Sequence, residues 1–203
     1  SDNTTLLFKI TVDLDIATVY GSHFGDFGME PWHRSVSDNL EFLEGKRTSQ
    51  SSFPYHESMI GERSGPLSPV REDIPTEWIS EDVSFRGRLI GGCMDILERV
   101  VRTEEADVPA FVNRYSDDGI IWYMETYDMT KERMSEMFSL MKKKGWFSHV
   151  RGFVFGRPLF YEGDYVNDVK EMLSDLKVPM VFGADVGHLA PRMTFINGSM
   201  AQF

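Results

Sequence analysis

Apolar residues in the second half of the chain form three short runs, separated by two stretches with helical spacing. The runs at 119–125, 152–156 and 179–184 are almost continuously apolar, which is typical of strands buried on both faces. Residues 131–144 and 165–176 carry apolar side chains three and four positions apart, as amphipathic helices do. The order strand, helix, strand, helix, strand predicts right-handed crossovers and a parallel sheet, and therefore an α/β fold.

The helix predicted at 131–144 has clear limits in the sequence. Thr130 can cap its first turn, and Gly145 fits the position that ends it. Its apolar side chains recur at i, i+3, i+4 and i+7. They are Met134, Met137, Phe138 and Met141. We expect these methionines to fill the core and not to form a metal or cofactor site.

The first half of the chain has a weaker pattern. Residues 3–12 and 33–44 show helical spacing, and 16–21 is typical of a strand. The segment 45–82 is polar and is interrupted by proline and glycine, which indicates a linker or an irregular crossover. An alternating stretch that ends on two glycines follows, and the residues from Cys93 onward predict another helix.

Composition narrows the possible partners. The chain has 203 residues, of which 41% are hydrophobic, so we expect a sizeable core. Its formal net charge of -11 argues against a nucleic-acid or anionic-membrane partner, because both bind clustered Lys and Arg. The one basic cluster, Lys142 to Lys144, falls at a predicted helix end, where cations are favoured. No apolar stretch reaches the length of a membrane span, and no secretory signal opens the sequence. We therefore expect a cytoplasmic protein.

Polar residues follow the three predicted parallel strands where each strand ends. Glu125 ends the first, Arg157 follows the second, and Asp185 and His188 follow the third. The carboxyl ends of parallel strands share one edge of the sheet, where ligands bind. Glu125 beside His188 would make an orienting carboxylate and a general base. Taken alone, a solvated glutamate and a structural histidine fit the same pattern.

Two residues are candidate nucleophiles. Cys93, the one cysteine, lies at a strand-to-helix turn in IGGCMD, where it could be activated or could simply be a small buried residue. A single cysteine excludes an intramolecular disulfide and a multi-cysteine zinc site. Ser1 precedes a predicted helix, which suits a nucleophile elbow but also a simple helix cap.

Three short motifs resemble those of one peptidase family. Ser1-Asp2-Asn3-Thr4 matches S-D-x-T, Met124-Glu125-Thr126 resembles L-E-[DT], and Gly183 to His188 matches G-x-D-x-G-H. The motifs come in the order and rough spacing of the LD-carboxypeptidase family, serine peptidases that include muramoyltetrapeptide carboxypeptidases and microcin immunity peptidases. The resemblance extends over essentially the whole chain but only over the later part of the family's sequence.

The resemblance implies a mechanism and a set of site residues. Ser1 would be the nucleophile, His188 its general base and Glu125 the group that orients the imidazole, with the backbone N–H of Asp2 as an oxyanion donor. The reaction implied is removal of a C-terminal residue across an L,D amide bond of a muropeptide, in peptidoglycan recycling, through an acyl-enzyme. The resemblance implies a homodimer, and it implies no cofactor and no metal. Arg157 is a candidate substrate contact that no family motif fixes.

The resemblance also implies how the chain is divided. Residues 1–48 would be the tail of a flavodoxin-like nucleophile domain, and 49–82 a linker or crossover. Residues 83–203 would form a C-terminal α/β domain with parallel strands, of the swivelling β/β/α type, that carries the glutamate and histidine. The family reads G-G-N-L where this chain has Gly91-Gly92-Cys93-Met94, so ligand preference is open at that turn.

The family's N-terminal half is not in the sequence, and this leaves other functions open. We expect this chain alone to have a poor active site or none, as part of a longer enzyme. The main alternative is a non-catalytic module that binds peptide or dimerises. An N-terminal nucleophile in which the amine of Ser1 acts as base is another. A glycosidase that uses Glu125, Asp128 and Asp185 is a minor option.

Overall fold

The computed structural model describes residues 2–60, 69–80 and 84–203. In these residues the α-helices are α1 (Asp2–Leu14), α2 (Arg34–Leu43), α3 (Met94–Thr103), α4 (Val108–Arg114), α5 (Lys131–Lys143) and α6 (Tyr165–Leu173). The strands are β1 (Thr18–Tyr20), β2 (Tyr55–His56), β3 (Ile74–Pro75), β4 (Ile79–Ser80), β5 (Arg86–Cys93), β6 (Ile120–Glu125), β7 (Val150–Gly156), β8 (Met180–Ala184), β9 (Phe195–Asn197) and β10 (Met200–Gln202). Two short 3-10 helices cover Phe24–Gly28 and Ser174–Leu176.

A six-stranded sheet is the centre of the fold, in the order β10-β5-β6-β7-β8-β4. The four inner strands β5 to β8 are parallel, and the two edge strands run antiparallel to their neighbours. All six residues of β6 are buried, which explains the continuous apolar run in the sequence. The fold is therefore α/β with a parallel core, as the strand and helix pattern predicts.

The two faces of the sheet carry separate cores. Successive side chains of a strand point to opposite faces, so Trp122 of β6 joins the helical side while Tyr123 joins the other. The helical side includes Phe8 of α1, whose ring lies 6.1 Å from Trp122 and 5.7 Å from Trp146. The first helix is therefore part of the same hydrophobic core as the parallel strands.

Helix α5 shows why the sequence pattern was reliable there. The Thr130 side chain accepts a hydrogen bond from the backbone N–H of Arg133, and Gly145 adopts φ +74° just beyond the helix. The four apolar residues predicted to lie in the core are all buried. They are Met134, Met137, Phe138 and Met141. The prediction that these methionines pack in the core is confirmed.

Several elements differ from the sequence expectation. Helix α4 was not predicted, and the helix expected at 165–176 is α6 followed by one 3-10 turn at Ser174–Leu176. The segment expected to be a linker contributes β4, which pairs with β8 at the edge of the central sheet. Strand β4 depends on pairing with a distant strand, whereas α4 has local start signals, the N-cap Asp107 and Pro109 in its first turn. The division into domains stays a prediction.

Among the helices of the described residues, none combines the length and apolar character needed to cross a bilayer.

Candidate active site

Two neighbouring parallel strands bring the first site residues together. Strands β5 and β6 end at Cys93 and Glu125, and these two residues are direct partners in the register. Glu125 is completely buried. An unpaired buried carboxylate is costly, so its partners determine what this edge of the sheet can do.

His188 is the first partner of Glu125. Its Nδ1 lies 2.8 Å from Oε2 of the carboxylate, and 17% of the His188 side chain is exposed. The structure thus brings together the two residues expected to form the base and its orienting acid. With Nδ1 held by the carboxylate, Nε2 is the ring nitrogen left to exchange a proton with another group.

Glycines allow this close approach. Gly187 adopts φ +119°, and a Cβ at that position would lie 2.8 Å from Oε2 of Glu125. A Cβ on Gly156 would lie 2.9 Å from Cβ of Glu125 and 2.2 Å from the carbonyl oxygen of Val186. The loop after β8 can therefore fold over the carboxylate only because side chains are missing at these two positions.

Tyr20 is the second partner of Glu125, and no sequence pattern predicts this contact. Its hydroxyl donates a hydrogen bond to Oε1 at 2.9 Å, so both carboxylate oxygens have partners. Burial, with Glu125 close by, raises the pKa of Tyr20 well above its usual value, which keeps the hydroxyl a donor. Tyr20 is the last residue of β1, which pairs with β9. Tyr20 and Glu125 are 105 positions apart in the sequence. No motif in IATVYG indicates this contact.

Arg192 is a second residue that the sequence analysis missed. Its guanidinium donates to the carbonyl oxygens of Gly187 at 2.7 Å and His188 at 2.8 Å. It also forms an ion pair of 3.2 Å with Asp26 in residues 22–32 after β1, called here the aromatic loop. Arg192 therefore ties the histidine loop to that aromatic loop.

Aromatic rings line one side of His188. The Tyr127 ring centroid lies 4.8 Å from that of His188 and 5.3 Å from that of Phe160. Both aromatic side chains reach the surface, since Tyr127 is 39% and Phe160 55% exposed. They form a partly apolar wall beside the imidazole that a bound molecule could contact.

Cys93 is close to the Glu125–His188 pair but does not have the properties of a nucleophile. It is completely buried, and burial together with Glu125 and Asp95 raises the pKa of the thiol far above its usual value. Its Sγ lies 3.5 Å from a carboxylate oxygen of Asp95. Because the thiolate and not the thiol is the nucleophile, these surroundings disfavour attack by Cys93.

Arg157 is engaged inside the protein. Its Nη1 lies 2.8 Å from Oδ1 of Asp185 and 3.1 Å from the carbonyl oxygen of Gly183, and the Asp185 side chain is fully buried. Its Nε and Nη2 are buried without a hydrogen-bond partner among the described groups. Burial lowers the pKa of the guanidinium. The substrate contact expected of Arg157 stays a prediction.

The oxyanion candidate Asp2 lies at the start of α1. Ser1 is outside the described residues, and Asp2 is the first residue of the helix. Two residues further, Oγ1 of Thr4 accepts a hydrogen bond of 3.2 Å from the backbone N–H of Cys93. The first turn of α1 therefore lies at the strand edge that holds Glu125.

A cavity of about 850 Å³ lies elsewhere in the described residues. Trp78, Leu89 and Phe195 are among its lining residues, which include no histidine, cysteine or carboxylate. Because proton transfer needs titratable groups, this cavity is a weaker candidate for chemistry than the Glu125–His188 edge.

Comparison with known proteins agrees with the fold. A family model described as the LD-carboxypeptidase C-terminal domain matches residues 86–203. A search of curated proteins found no match to the chain.

Solved structures share the architecture over the whole chain. The microcin C7 self-immunity protein MccF in complex with glutamyl sulfamoyl guanosine has a TM-score of 0.76 at 19% identity, covering 100% of this chain and 62% of that one. An MccF-like protein from Streptococcus pneumoniae in complex with AMP has a TM-score of 0.75 at 24% identity, with 100% and 64% covered. An MccF-like protein from Bacillus anthracis has a TM-score of 0.63 at 21% identity, with 100% and 62% covered. The present chain spans less than two thirds of the length of each.

Proposed function

Because the chain belongs to the LD-carboxypeptidase family through the domain at residues 86–203, we propose that it carries the base and acid of a serine carboxypeptidase. The reaction would be hydrolysis of an L,D amide bond in a muropeptide-like peptide. The observation that carries this proposal is the 2.8 Å contact between Nδ1 of His188 and the buried carboxylate of Glu125. That contact has the geometry of an oriented general base.

Each proposed role follows from the chemistry of the group. His188 takes the proton of Ser1 at Nε2 while the serine oxygen attacks the scissile carbonyl. Glu125 accepts the Nδ1 proton as a hydrogen bond and stabilises the imidazolium. The backbone N–H of Asp2, at the start of α1, donates to the oxyanion. His188 then returns the proton to the leaving amine, and water releases the acyl-enzyme by the same steps in reverse.

Two observations support Ser1 as the attacking group. Thr4, in the first turn of α1, accepts a hydrogen bond from the backbone N–H of Cys93. Ser1 is three positions before Thr4 in the sequence, which favours it as the attacking group. Cys93, the other candidate, is buried with a raised thiol pKa. Arg157 is proposed to bind the substrate carboxylate through Nε or Nη2, which Asp185 does not hold. Both nitrogens are buried, so this contact requires the groups that cover them to move.

The aromatic wall beside His188 favours a second class of substrate. One solved relative binds glutamyl sulfamoyl guanosine and another binds AMP. Tyr127 and Phe160 offer partly exposed rings on which a base could stack. An aminoacyl-nucleotide conjugate is therefore the alternative substrate. We also propose a cytoplasmic homodimer, as the family resemblance implies.

The test is hydrolysis by the intact protein, compared with matched histidine variants. We expect release of the C-terminal residue from an L,D-linked tetrapeptide, measured by mass spectrometry. His188→Ala should reduce kcat by about 1,000-fold or more, whereas His149→Ala, at an exposed site, should retain the rate. Turnover of the nucleotide conjugate alone would favour the second substrate class. Binding of peptide without any turnover would favour the non-catalytic module.

A further inference from the structure

Three side chains with different metal-binding atoms converge at the end of the sheet. Cys93, Glu125 and His188 each offer one ligand atom, and these atoms all lie within 4.8 Å of one another. The first two are register partners at the ends of β5 and β6, and the third is held by its contact with the carboxylate. The grouping is therefore fixed by the sheet and the histidine loop.

The distances suit a tetrahedral metal ion. Zinc binds sulfur at about 2.3 Å and nitrogen or oxygen at about 2.0–2.2 Å, so neighbouring ligand atoms lie about 3.5 Å apart. The three ligand atoms, all within 4.8 Å of one another, therefore exceed that spacing by about 1.3 Å at most. A sulfur, a nitrogen and one carboxylate oxygen favour zinc or cobalt over magnesium or calcium, which prefer oxygen ligands.

The charge balance favours a divalent cation at the same place. The carboxylates of Glu125 and Asp95 both lie beside Cys93, so two acidic groups face the thiol at this edge of the sheet. A divalent cation is attracted by these carboxylates and binds the cysteine as its thiolate. The thiolate and the Glu125 carboxylate then neutralise its two charges, and the thiol proton leaves to solvent.

The surroundings also provide outer contacts and a way in. Asp95 accepts hydrogen bonds from the backbone N–H groups of Tyr127 and Asp128, which hold its carboxylate 3.5 Å from Sγ of Cys93. Tyr20 holds Oε1 of Glu125, so Oε2 is the oxygen for the metal, and the ion would replace its present contact with Nδ1 of His188. His188 is the partly exposed member of the group, so an ion arrives from its side.

We propose that Cys93, Glu125 and His188 form a binding site for a thiophilic divalent cation such as Zn²⁺, and that the bound ion blocks the hydrolytic centre. The block follows because His188 and Glu125 cannot act as base and orienting acid while both bind the ion. The inhibition rests on the proposed function, whereas the metal site itself does not. The ion is an inhibitor and not a cofactor of the reaction.

Cobalt titration tests the site without any activity measurement. Among these 203 residues Cys93 is the one cysteine, so its substitution shows whether a thiolate-to-cobalt charge-transfer band in the near ultraviolet comes from this site. Metal-free intact protein should develop this band with one Co²⁺ per chain, and Zn²⁺ should remove it. Cys93→Ser and Cys93→Ala should lack the band. His188→Ala should weaken Co²⁺ binding by more than about tenfold, and His149→Ala should bind as the wild type does.

A second measurement tests the inhibition. Zn²⁺ should inhibit turnover, and a chelator should restore it. The zinc concentration for half inhibition should rise by more than about tenfold in Cys93→Ser, relative to that variant's own uninhibited rate. Absence of the cobalt band in wild type, or a band unchanged in His188→Ala, overturns the metal site. A cobalt band without inhibition by Zn²⁺ overturns the proposal that the bound ion blocks hydrolysis. If no form turns over substrate, the proposed function fails while the cobalt titration still decides the site.

Discussion

Tyr20→Phe removes a single oxygen atom from the candidate active site. The wild-type hydroxyl donates to Oε1 of Glu125 at 2.9 Å, and the other carboxylate oxygen contacts His188. The phenylalanine ring can still pack on Tyr123, whose ring centroid lies 5.5 Å away. The change therefore removes the hydrogen bond while keeping most of the packing.

The expected magnitude follows from the charge on the acceptor. A hydrogen bond to a charged group contributes about 1.5–3 kcal/mol, and its loss leaves a buried oxygen of Glu125 without a donor. If that energy orients the carboxylate in the transition state, kcat falls by about 10- to 100-fold. KM should stay near the wild-type value, because Tyr20 would act through Glu125 and not on the substrate.

The same substitution has a pH signature in stability. The pKa of Tyr20 is raised in the folded state, so the folded protein holds the hydroxyl proton more tightly than the unfolded chain does. The stabilisation is fully present below the unfolded pKa of about 10 and is lost as pH rises above it. The difference in free energy of unfolding between wild type and Tyr20→Phe should therefore shrink above pH of about 10.

The assays are urea unfolding as a function of pH and steady-state kinetics on the tetrapeptide. A Tyr20→Phe protein with wild-type kcat and wild-type stability at neutral pH would refute the reasoning. A loss of stability with unchanged kcat would show that Tyr20 supports the fold and not the Glu125–His188 pair.

Two further changes test the surroundings of the site. Gly187→Ala places a Cβ 2.8 Å from Oε2 of Glu125 at φ +119°; it should cost about 1–3 kcal/mol of stability in thermal unfolding and about 100-fold in kcat. Gly25→Ala, where a Cβ meets nothing within 4 Å, is the control, and equal behaviour of the two variants would contradict the steric argument. Arg157→Met leaves the Asp185 charge buried and unpaired, so urea unfolding should show a loss of about 3–5 kcal/mol. Adding Asp185→Asn to Arg157→Met should recover part of that loss. If the stability losses of the two single variants simply add in the double variant, the ion pair does not contribute as expected.

The sequence predicted the parallel core because burial leaves a local record. Strand β6 is buried on both faces, and its sequence is an almost unbroken apolar run. The buried residues of α5 recur at helical spacing in the sequence. Glu125 and His188 were also predictable as neighbours, since the ends of parallel strands share one edge. For these elements the local pattern and the tertiary structure agree.

The contacts that complete the site left no such record. Tyr20 reaches Glu125 across 105 positions, and Arg192 reaches Asp26 across 166. Their partners are decided by how loops cross the sheet edge, which neither periodicity nor a motif encodes. Strands β4 and β10, of two and three residues, are likewise too short for an alternating pattern to identify.

Those two short strands have a consequence for how the protein behaves in solution. A parallel core that ended at β5 and β8 would present two open rows of backbone donors and acceptors, which are templates for pairing with other molecules. Strand β4 covers one row, and β10, within the last four residues of the chain, covers the other. Phe203 strengthens this edge by exchanging two backbone hydrogen bonds with Phe85. Residues 200–203 thus cover the edge of β5, and we expect a truncation that removes them to expose that edge to pairing with other molecules.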